Sequence, residues 1–138
     1  MKHLAKFKGI VVAGFGRGSK DLGIPTANLD EKSVDNLPLE SGIYYGYCRL
    51  NNTIHPMVMS IGNNDFYKNT KKSVEVHIMD ECQSNFYGAE LSVLVYGFIR
   101  TMKDFQNVAG LIEEINNDIQ IAKESLKSQQ LPSHNDFE

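Results

Sequence analysis

A glycine-rich segment near the start of the chain is the first candidate for binding chemistry. Four of the eleven glycines stand within ten consecutive residues: Gly14, Gly16, Gly18 and Gly23. Backbone without Cβ atoms can wrap closely around phosphates with its N–H groups, and Arg17 and Lys20 add positive charge. Ser19 breaks both the Walker loop and the dinucleotide-binding fingerprint, because each motif needs glycine there. On spacing alone, a phosphate cradle and a plain flexible loop stay equally open.

The residues that follow the glycines offer two neutral oxygen donors. Pro25 has a fixed φ, and in an extended segment the two-residue spacing points Thr26 and Asn28 to the same side. A hydroxyl and a carboxamide are ligands that Mg²⁺ accepts beside waters and substrate phosphates. The alternative is a turn in which these polar side chains bond the backbone.

Length and composition restrict the class of protein. The chain has 138 residues, the size of one domain, and its 14 Lys and Arg against 17 Asp and Glu give a net charge of -3. This acidic excess argues against bulk binding to DNA or RNA. No apolar run reaches the roughly 18 residues of a membrane-spanning helix. The N-terminus lacks the apolar core of a signal peptide, so we expect a cytoplasmic protein and leave an organellar copy open.

Short extended runs dominate the first hundred residues. Five runs are rich in strand formers: residues 8–13, 42–50, 54–60, 73–78 and 91–99. Asn51 and Asn52 offer a two-residue turn between two of these runs. Strict alternation places Val74, Val76 and Ile78 on one face of another. Five or six strands joined by short turns predict an antiparallel sheet closed into a small barrel.

The last third of the chain has a helical period. Apolar residues recur at spacings of three and four: Val108, Leu111, Ile112, Ile115, Ile119, Ala122 and Leu126. They predict one amphipathic helix that packs on the rest of the fold, with Asp118 among the polar residues of the other faces. The remaining residues, 128–138, contain Pro132 and are expected to form a partly disordered tail. Residues 1–127 would then be a single domain.

Eight segments in order along the chain resemble the riboflavin kinase (flavokinase) family, in its eukaryotic single-function form. They are GFGRGSK at 14–20, LGIPTANL at 22–29, SGIYYG at 41–46, MSIG at 59–62, FYKNTKK at 66–72, EVHI at 75–78, NFYG at 85–88 and GFIR at 97–100. The PTAN tetrapeptide together with the downstream E-x-H-I is the most specific part. The resemblance implies a mainly β fold with α: a six-stranded antiparallel Greek-key β-barrel with a long C-terminal amphipathic helix.

The resemblance implies an enzyme that transfers the γ-phosphoryl of MgATP to the ribityl 5′-hydroxyl of riboflavin, giving FMN and ADP. Mg²⁺ is the implied metal, with Zn²⁺ or Mn²⁺ as alternatives, and ATP is the co-substrate. The implied partners are riboflavin/FMN and ATP/ADP, without nucleic acid or membrane, and we expect a monomer. At 138 residues, we expect no room for the FMN adenylyltransferase domain that precedes the kinase in bacterial relatives.

The same resemblance implies roles for individual residues. Glu75 corresponds to the catalytic base, and Thr26 and Asn28 to the metal ligands. The implied contacts to ATP or ADP are Gly14, Lys20, Thr26, Ile78, Asp80 and Tyr87. The implied contacts to riboflavin or FMN are Arg100, Lys103 and Phe105, an aromatic face for the isoalloxazine and two cations for its carbonyls or the product phosphate. His77, beside Glu75 on the same run, receives no catalytic role.

The chain departs from the family pattern at two places. Residues Asn63, Asn64 and Asp65 stand where family members commonly have Trp-Asn-Pro. We expect this change to make the segment more polar and more mobile. Thr101 stands where proline is common, which is a milder change.

Two other functions of a small β-barrel compete with this one. A barrel that holds FMN without phosphoryl transfer is the main alternative, but it leaves Thr26, Asn28 and Glu75 without a task. A barrel that binds single-stranded nucleic acid needs a basic groove with aromatic platforms. That function is disfavoured because the net charge is -3 and the chain contains no Trp.

Overall fold

The computed structural model describes residues 4–12, 26–30, 37–63, 72–79, 88–101 and 108–138. The described strands are β1 (Ala5–Val12), β2 (Thr26–Leu29), β3 (Gly42–Leu50), β4 (Thr53–Asn63), β5 (Lys72–Ile78) and β6 (Glu90–Arg100). Helix α1 spans Val108–Lys127, and a short 3₁₀ helix spans His134–Phe137. No helix among these residues is both long and apolar enough to cross a membrane.

The six strands close into an antiparallel barrel. Their order around the barrel is β1-β2-β5-β4-β3-β6, so β1 pairs with both β2 and β6. The β3–β4 hairpin turns at Asn51 and Asn52, whose φ values are 50° and 66°. These values lie in the left-handed region, which asparagine tolerates better than most residues. The predicted six-stranded barrel and the predicted hairpin turn are confirmed.

The barrel interior is filled by the inward-facing side chains of all six strands. On β5 the predicted alternation is confirmed, because Val74, Val76 and Ile78 are at most 2% exposed. Other members of this interior cluster are Val11, Leu29, Tyr44, Cys48, Met57, Met59, Ile61, Leu91, Val93 and Val95. Gly46 allows the close approach of β3 and β6, since a Cβ there would lie 2.0 Å from the main-chain oxygen of Leu94. The interior is therefore a packed core.

Helix α1 covers part of the outer wall of the barrel. Ala122 packs with Ile43 of β3 and Val58 of β4, and Ile119 lies against the same cluster. Nearer its C-terminal end, Leu126 joins a second outer cluster: Tyr47, Leu94, Tyr96 and Phe137. The predicted helix is confirmed, and its apolar stripe packs on the barrel at Ile119, Ala122 and Leu126, whereas Ile112 is 36% exposed. One polar residue differs from expectation. Asp118 is only 3% exposed and belongs to the packed face.

The last residues of the chain are packed against the barrel, although the sequence analysis expects a partly disordered tail. Phe137 is fully buried, at 0% exposure, and the guanidinium of Arg49 lies 5.4 Å from the centre of its ring. Arg49 also pairs with the Glu138 carboxylate at 3.0 Å. Lys6 Nζ donates to the main-chain oxygen of Glu138 at 2.6 Å. One buried aromatic side chain, that of Phe137, holds this otherwise polar segment against the barrel. Composition alone does not reveal this packing.

Replacing Phe137 by alanine should destabilise the protein substantially. Removal of a fully buried phenylalanine typically lowers the free energy of unfolding by about 3–5 kcal/mol. Urea denaturation followed by circular dichroism would measure the change. Leu131→Ala is the matched control, because Leu131 is 65% exposed and should change stability little. Equal stabilities of the two variants would contradict the packing of the C-terminal segment.

Candidate functional site

The outward face of β5 carries two polar side chains. Glu75 and His77 alternate with the buried Val74, Val76 and Ile78, so they lie on the outer wall of the barrel. The side chain of Glu75 is 21% exposed and that of His77 is 11% exposed. The carboxylate is thus within reach of solvent or a ligand, while the imidazole is nearly enclosed.

Strand register brings Asn28 next to Glu75. Asn28 of β2 is directly opposite Glu75 of β5, and Thr26 is directly opposite His77. Directly opposed residues of an antiparallel pair project on the same face, with Cβ atoms about 4.5–5.5 Å apart. On its other side, Glu75 is opposite Ser60 of β4. The expected metal ligand Asn28 and the expected base Glu75 therefore share one patch of the outer wall.

His77 is a neutral imidazole beside the Glu75 carboxylate. Nε2 of His77 lies 3.4 Å from Oε1 of Glu75, slightly longer than a normal N–H···O hydrogen bond. Burial lowers the pKa of His77, and the nearby carboxylates of Glu75 and Asp118 only partly oppose this effect. Nδ1 of His77 is buried with no hydrogen-bond partner among the described residues. The neutral ring can thus face Glu75 with its Nε2–H and keep Nδ1 as an acceptor.

Arg100, the last residue of β6, is held by the helix. Its Nε donates to Oδ1 of Asp118 at 2.9 Å, and its Nη2 donates to Oδ2 at 2.8 Å. Its Nη1 donates to the main-chain oxygen of Thr101 at 3.0 Å. Because that acceptor is a carbonyl, which proline also has, this bond does not require a particular side chain at position 101. The guanidinium is therefore fixed by three contacts.

The Glu75–His77 pair on β5 and the Arg100–Asp118 pair beside α1 are electrostatically connected. Both Glu75 on β5 and Asp118 on α1 act on the pKa of His77. Burial is nevertheless the larger influence on this imidazole, and it favours the uncharged form. The Glu75–His77 pair and the Asp118–Arg100 pair are thus near enough for the charge of Asp118 to act on His77.

Ile78 is the implied nucleotide contact whose side chain the structure describes. The side chain of Ile78 points into the barrel core and is 1% exposed, so it is not accessible to a purine. Any nucleotide contact at this position falls to the main chain. Six other implied substrate contacts lie outside the described residues: Gly14, Lys20, Asp80, Tyr87, Lys103 and Phe105. Asn64 and Asp65, where the family pattern changes, lie outside them as well.

The oxygen donors of this patch suit a hard divalent cation. Among the described residues, no three His, Cys, Asp or Glu side chains are grouped to hold a metal ion. The carboxamide of Asn28 beside the Glu75 carboxylate offers hard oxygens, which Mg²⁺ prefers. Such an ion takes most of its remaining ligands from water and substrate phosphates. The patch fits a metal that arrives with its nucleotide.

Sequence reasoning missed Asp118, although a usable signal was present. Asp118 comes three residues after Ile115 and four before Ala122, which is the spacing of the apolar stripe itself. An acidic residue on that stripe needs a buried cation as partner. The only sequence hint to the identity of that partner is the basic Arg100 at the end of the preceding strand.

Comparison with known proteins identifies the family. A family model described as riboflavin kinase (Flavokinase) matches residues 1–126. A curated riboflavin kinase from Homo sapiens is 51% identical, and the match covers 97% of this chain and 87% of the human protein. The chain belongs to the riboflavin kinase family. Members of the riboflavin kinase family use ATP and a divalent metal ion.

A solved riboflavin kinase structure agrees with this assignment. The riboflavin kinase of Trypanosoma brucei superposes with a TM-score of 0.70 at 27% identity, covering 91% of this chain and 82% of that one. A macrolide-efflux protein from Streptococcus pneumoniae superposes with a TM-score of 0.76 at 27% identity, covering 86% of this chain and 38% of that one. The six-stranded barrel with its helix is therefore the fold of a riboflavin kinase.

Proposed function

We propose that this protein phosphorylates riboflavin, transferring the γ-phosphoryl of ATP to the ribityl 5′-hydroxyl and releasing FMN and ADP. The observation that carries the proposal is the cross-strand pair of Asn28 and Glu75 on the outer wall, in a chain of the riboflavin kinase family. A metal ligand and a base on one patch are what phosphoryl transfer to an alcohol requires.

Glu75 is the group that receives the proton of the alcohol. As the 5′-oxygen bonds to the γ-phosphorus, the bond from that phosphorus to the β–γ bridging oxygen breaks and ADP leaves. The hydroxyl proton passes to the Glu75 carboxylate. General-base catalysis of this kind raises the reaction rate by roughly 10²–10⁴-fold. The side chain is 21% exposed, so an alcohol can reach it.

In this proposal Thr26 and Asn28 hold the metal ion. The metal ion is Mg²⁺, with Zn²⁺ and Mn²⁺ as alternatives. A divalent ion at this place would offset the charge of the β- and γ-phosphates. Two neutral ligands suffice, because the phosphates bring the negative charge. The position of Asn28 directly opposite Glu75 supports its role as a metal ligand.

The remaining contacts divide between nucleotide and flavin. For the nucleotide we propose main-chain atoms of the glycine segment around Gly14, together with Lys20, Thr26, Ile78 at the end of β5, and Asp80 and Tyr87 beyond it. For riboflavin and FMN we propose Arg100, Lys103 and Phe105. Among these flavin contacts, Arg100 is supported by its guanidinium, which Asp118 holds fixed.

The proposal extends to the organisation of the chain. Residues 1–127 form the kinase domain, and residues 128–138 are a tail that docks through Phe137. We propose a monomer, because a closed barrel leaves no strand edge for pairing with a second copy. We also propose a cytoplasmic location, and partners limited to riboflavin/FMN and ATP/ADP.

The activity itself is tested with purified protein, riboflavin and ATP. FMN and ADP should form in equal amounts when Mg²⁺ is present and should not form in EDTA. Chromatography of both products measures this, and parallel reactions with Mn²⁺ and Zn²⁺ rank the metals. Tight FMN binding with no FMN formation under any of the three metals would instead favour a flavin-binding module.

Glu75→Gln should lower kcat about 100-fold or more, roughly 2.7 kcal/mol of activation free energy, because the amide cannot accept the proton. The substrate KM values should stay close to those of the wild type, since the side chain keeps its size. Steady-state kinetics measure both parameters. Glu90→Gln, an exposed acid on β6, is the matched control and should behave as wild type. A near wild-type kcat for Glu75→Gln would move the base elsewhere.

Asn28→Ala and Thr26→Ala should each raise the Mg²⁺ concentration needed for half-maximal rate by about tenfold, as the loss of one metal-ligand interaction predicts. Titration of free Mg²⁺ at constant ATP measures the shift. Asn117→Ala, on the exposed face of α1, is the matched control. An unchanged Mg²⁺ dependence in either variant would remove that residue from the metal site.

A further inference from the structure

The pair of Arg100 and Asp118 is enclosed to an unusual degree for two charged side chains. The side chain of Asp118 is 4% exposed and that of Arg100 is 16% exposed. Both carboxylate oxygens are used, one by Nε at 2.9 Å and the other by Nη2 at 2.8 Å. This side-on, two-point geometry fixes the plane of the guanidinium, which a single contact cannot do.

The apolar surroundings of the Arg100–Asp118 pair make its desolvation unfavourable, so the pair is a poor way to hold the helix by itself. Ala122, one turn after Asp118, is 0% exposed in the apolar cluster with Ile43 and Val58, and Ile119 packs on the same cluster. Removing two charges from water costs several kcal/mol per ion, and apolar residues of similar volume often stabilise a fold equally well. Stability alone therefore does not explain an acidic residue in this stripe.

The third contact of Arg100 points to orientation as its purpose. Asp118 takes the Nε–Nη2 edge, and the main-chain oxygen of Thr101 accepts from Nη1 at 3.0 Å. A side chain fixed in this way loses little rotamer freedom when a ligand binds. The carboxylate also keeps the guanidinium at the end of β6, where the chain leaves the barrel toward α1.

We propose that Asp118 is a positioning residue for flavin recognition: it orients the Arg100 guanidinium toward the polar groups of riboflavin and FMN. The proposal rests on the proposed riboflavin kinase function and on Arg100 as a flavin contact. It adds a residue of α1 that need not touch either substrate, and it assigns the helix a part in substrate recognition besides its packing on the barrel.

Asp118→Asn tests the proposal, because the amide keeps the size of the side chain but has only one acceptor oxygen, so it cannot form the two-point pair with Nε and Nη2 of Arg100. The dissociation constant of riboflavin, measured by fluorescence quenching with MgADP present and no turnover, should rise about tenfold or more. The KM for riboflavin should rise in parallel, while the KM for ATP stays within about twofold of wild type. Glu113→Gln, an exposed acid on the same helix, is the matched control and should leave all three unchanged.

A double-variant comparison separates positioning from general support of the fold. Arg100→Lys keeps the charge but cannot make the two-point pair, so it should raise the riboflavin dissociation constant by itself. Adding Asp118→Asn to Arg100→Lys should then cause little further rise. The positioning role is wrong if Asp118→Asn weakens riboflavin binding equally in the wild-type and Arg100→Lys backgrounds. It is also wrong if Asp118→Asn weakens the binding of riboflavin and of ATP alike and lowers the Tm.

The outcomes remain informative in three further cases. If Asp118→Asn does not fold, the Arg100→Lys variant alone tests the proposal. An unchanged riboflavin dissociation constant in Arg100→Lys then overturns it. If the wild type forms FMN while Asp118→Asn binds riboflavin normally, the positioning role fails and the kinase function stands. If the wild type binds riboflavin but forms no FMN, the kinase function fails, and the same binding measurements still decide the role of Asp118.

Discussion

The closed hydrogen-bond ladder of the barrel sorts the side chains of every strand into an inward set and an outward set. On β5 the inward set is Val74, Val76 and Ile78, each at most 2% exposed, in a core shared by all six strands. Such a core leaves no space for a ligand. The polar residues of the same strand, Glu75 and His77, must therefore act from the outer wall. The register of β2 against β5 then sets Asn28 beside Glu75.

Helix α1 completes that wall in two ways. Its apolar residues, Ile119, Ala122 and Leu126, pack on the outward faces of the barrel strands and hold the helix in place. Its one buried acid, Asp118, holds Arg100 at the end of β6. The helix thus links packing to the placement of a charged side chain. The pKa of the buried His77 imidazole responds to both Glu75 and Asp118.

Local patterns were enough to predict five of the six strands and helix α1, but they predicted neither β2 (Thr26–Leu29) nor the long-range contacts. The alternation of Val74, Val76 and Ile78 and the turn at Asn51 and Asn52 each depend on residues close in sequence. The pairing of Asn28 with Glu75, by contrast, depends on register between strands far apart in the chain, so only the family resemblance joined the two residues. The same limit explains why Phe137 was expected in a disordered tail.

Side-chain environment was the least predictable feature of the site. Ile78 is an implied nucleotide contact, but its two-residue period with Val76 turns its side chain into the core, so any such contact falls to its main chain. Asp118 was expected on a solvated face, because polar residue type was given more weight than its helical position between Ile115 and Ala122. In both cases the geometry of the element, rather than the chemistry of the residue, decides where the side chain lies.

The central claim is that phosphoryl transfer takes place on the outer wall where β2 meets β5. A crystal structure of the protein with MgADP and FMN tests this claim most directly. The account predicts that the ribityl 5′-oxygen lies within about 3.5 Å of the Glu75 carboxylate, within reach of proton transfer, with the metal on the same side as Asn28. A 5′-oxygen more than about 6 Å from Glu75, too far for even one bridging water, or a flavin bound against the β1–β6 wall, would contradict it.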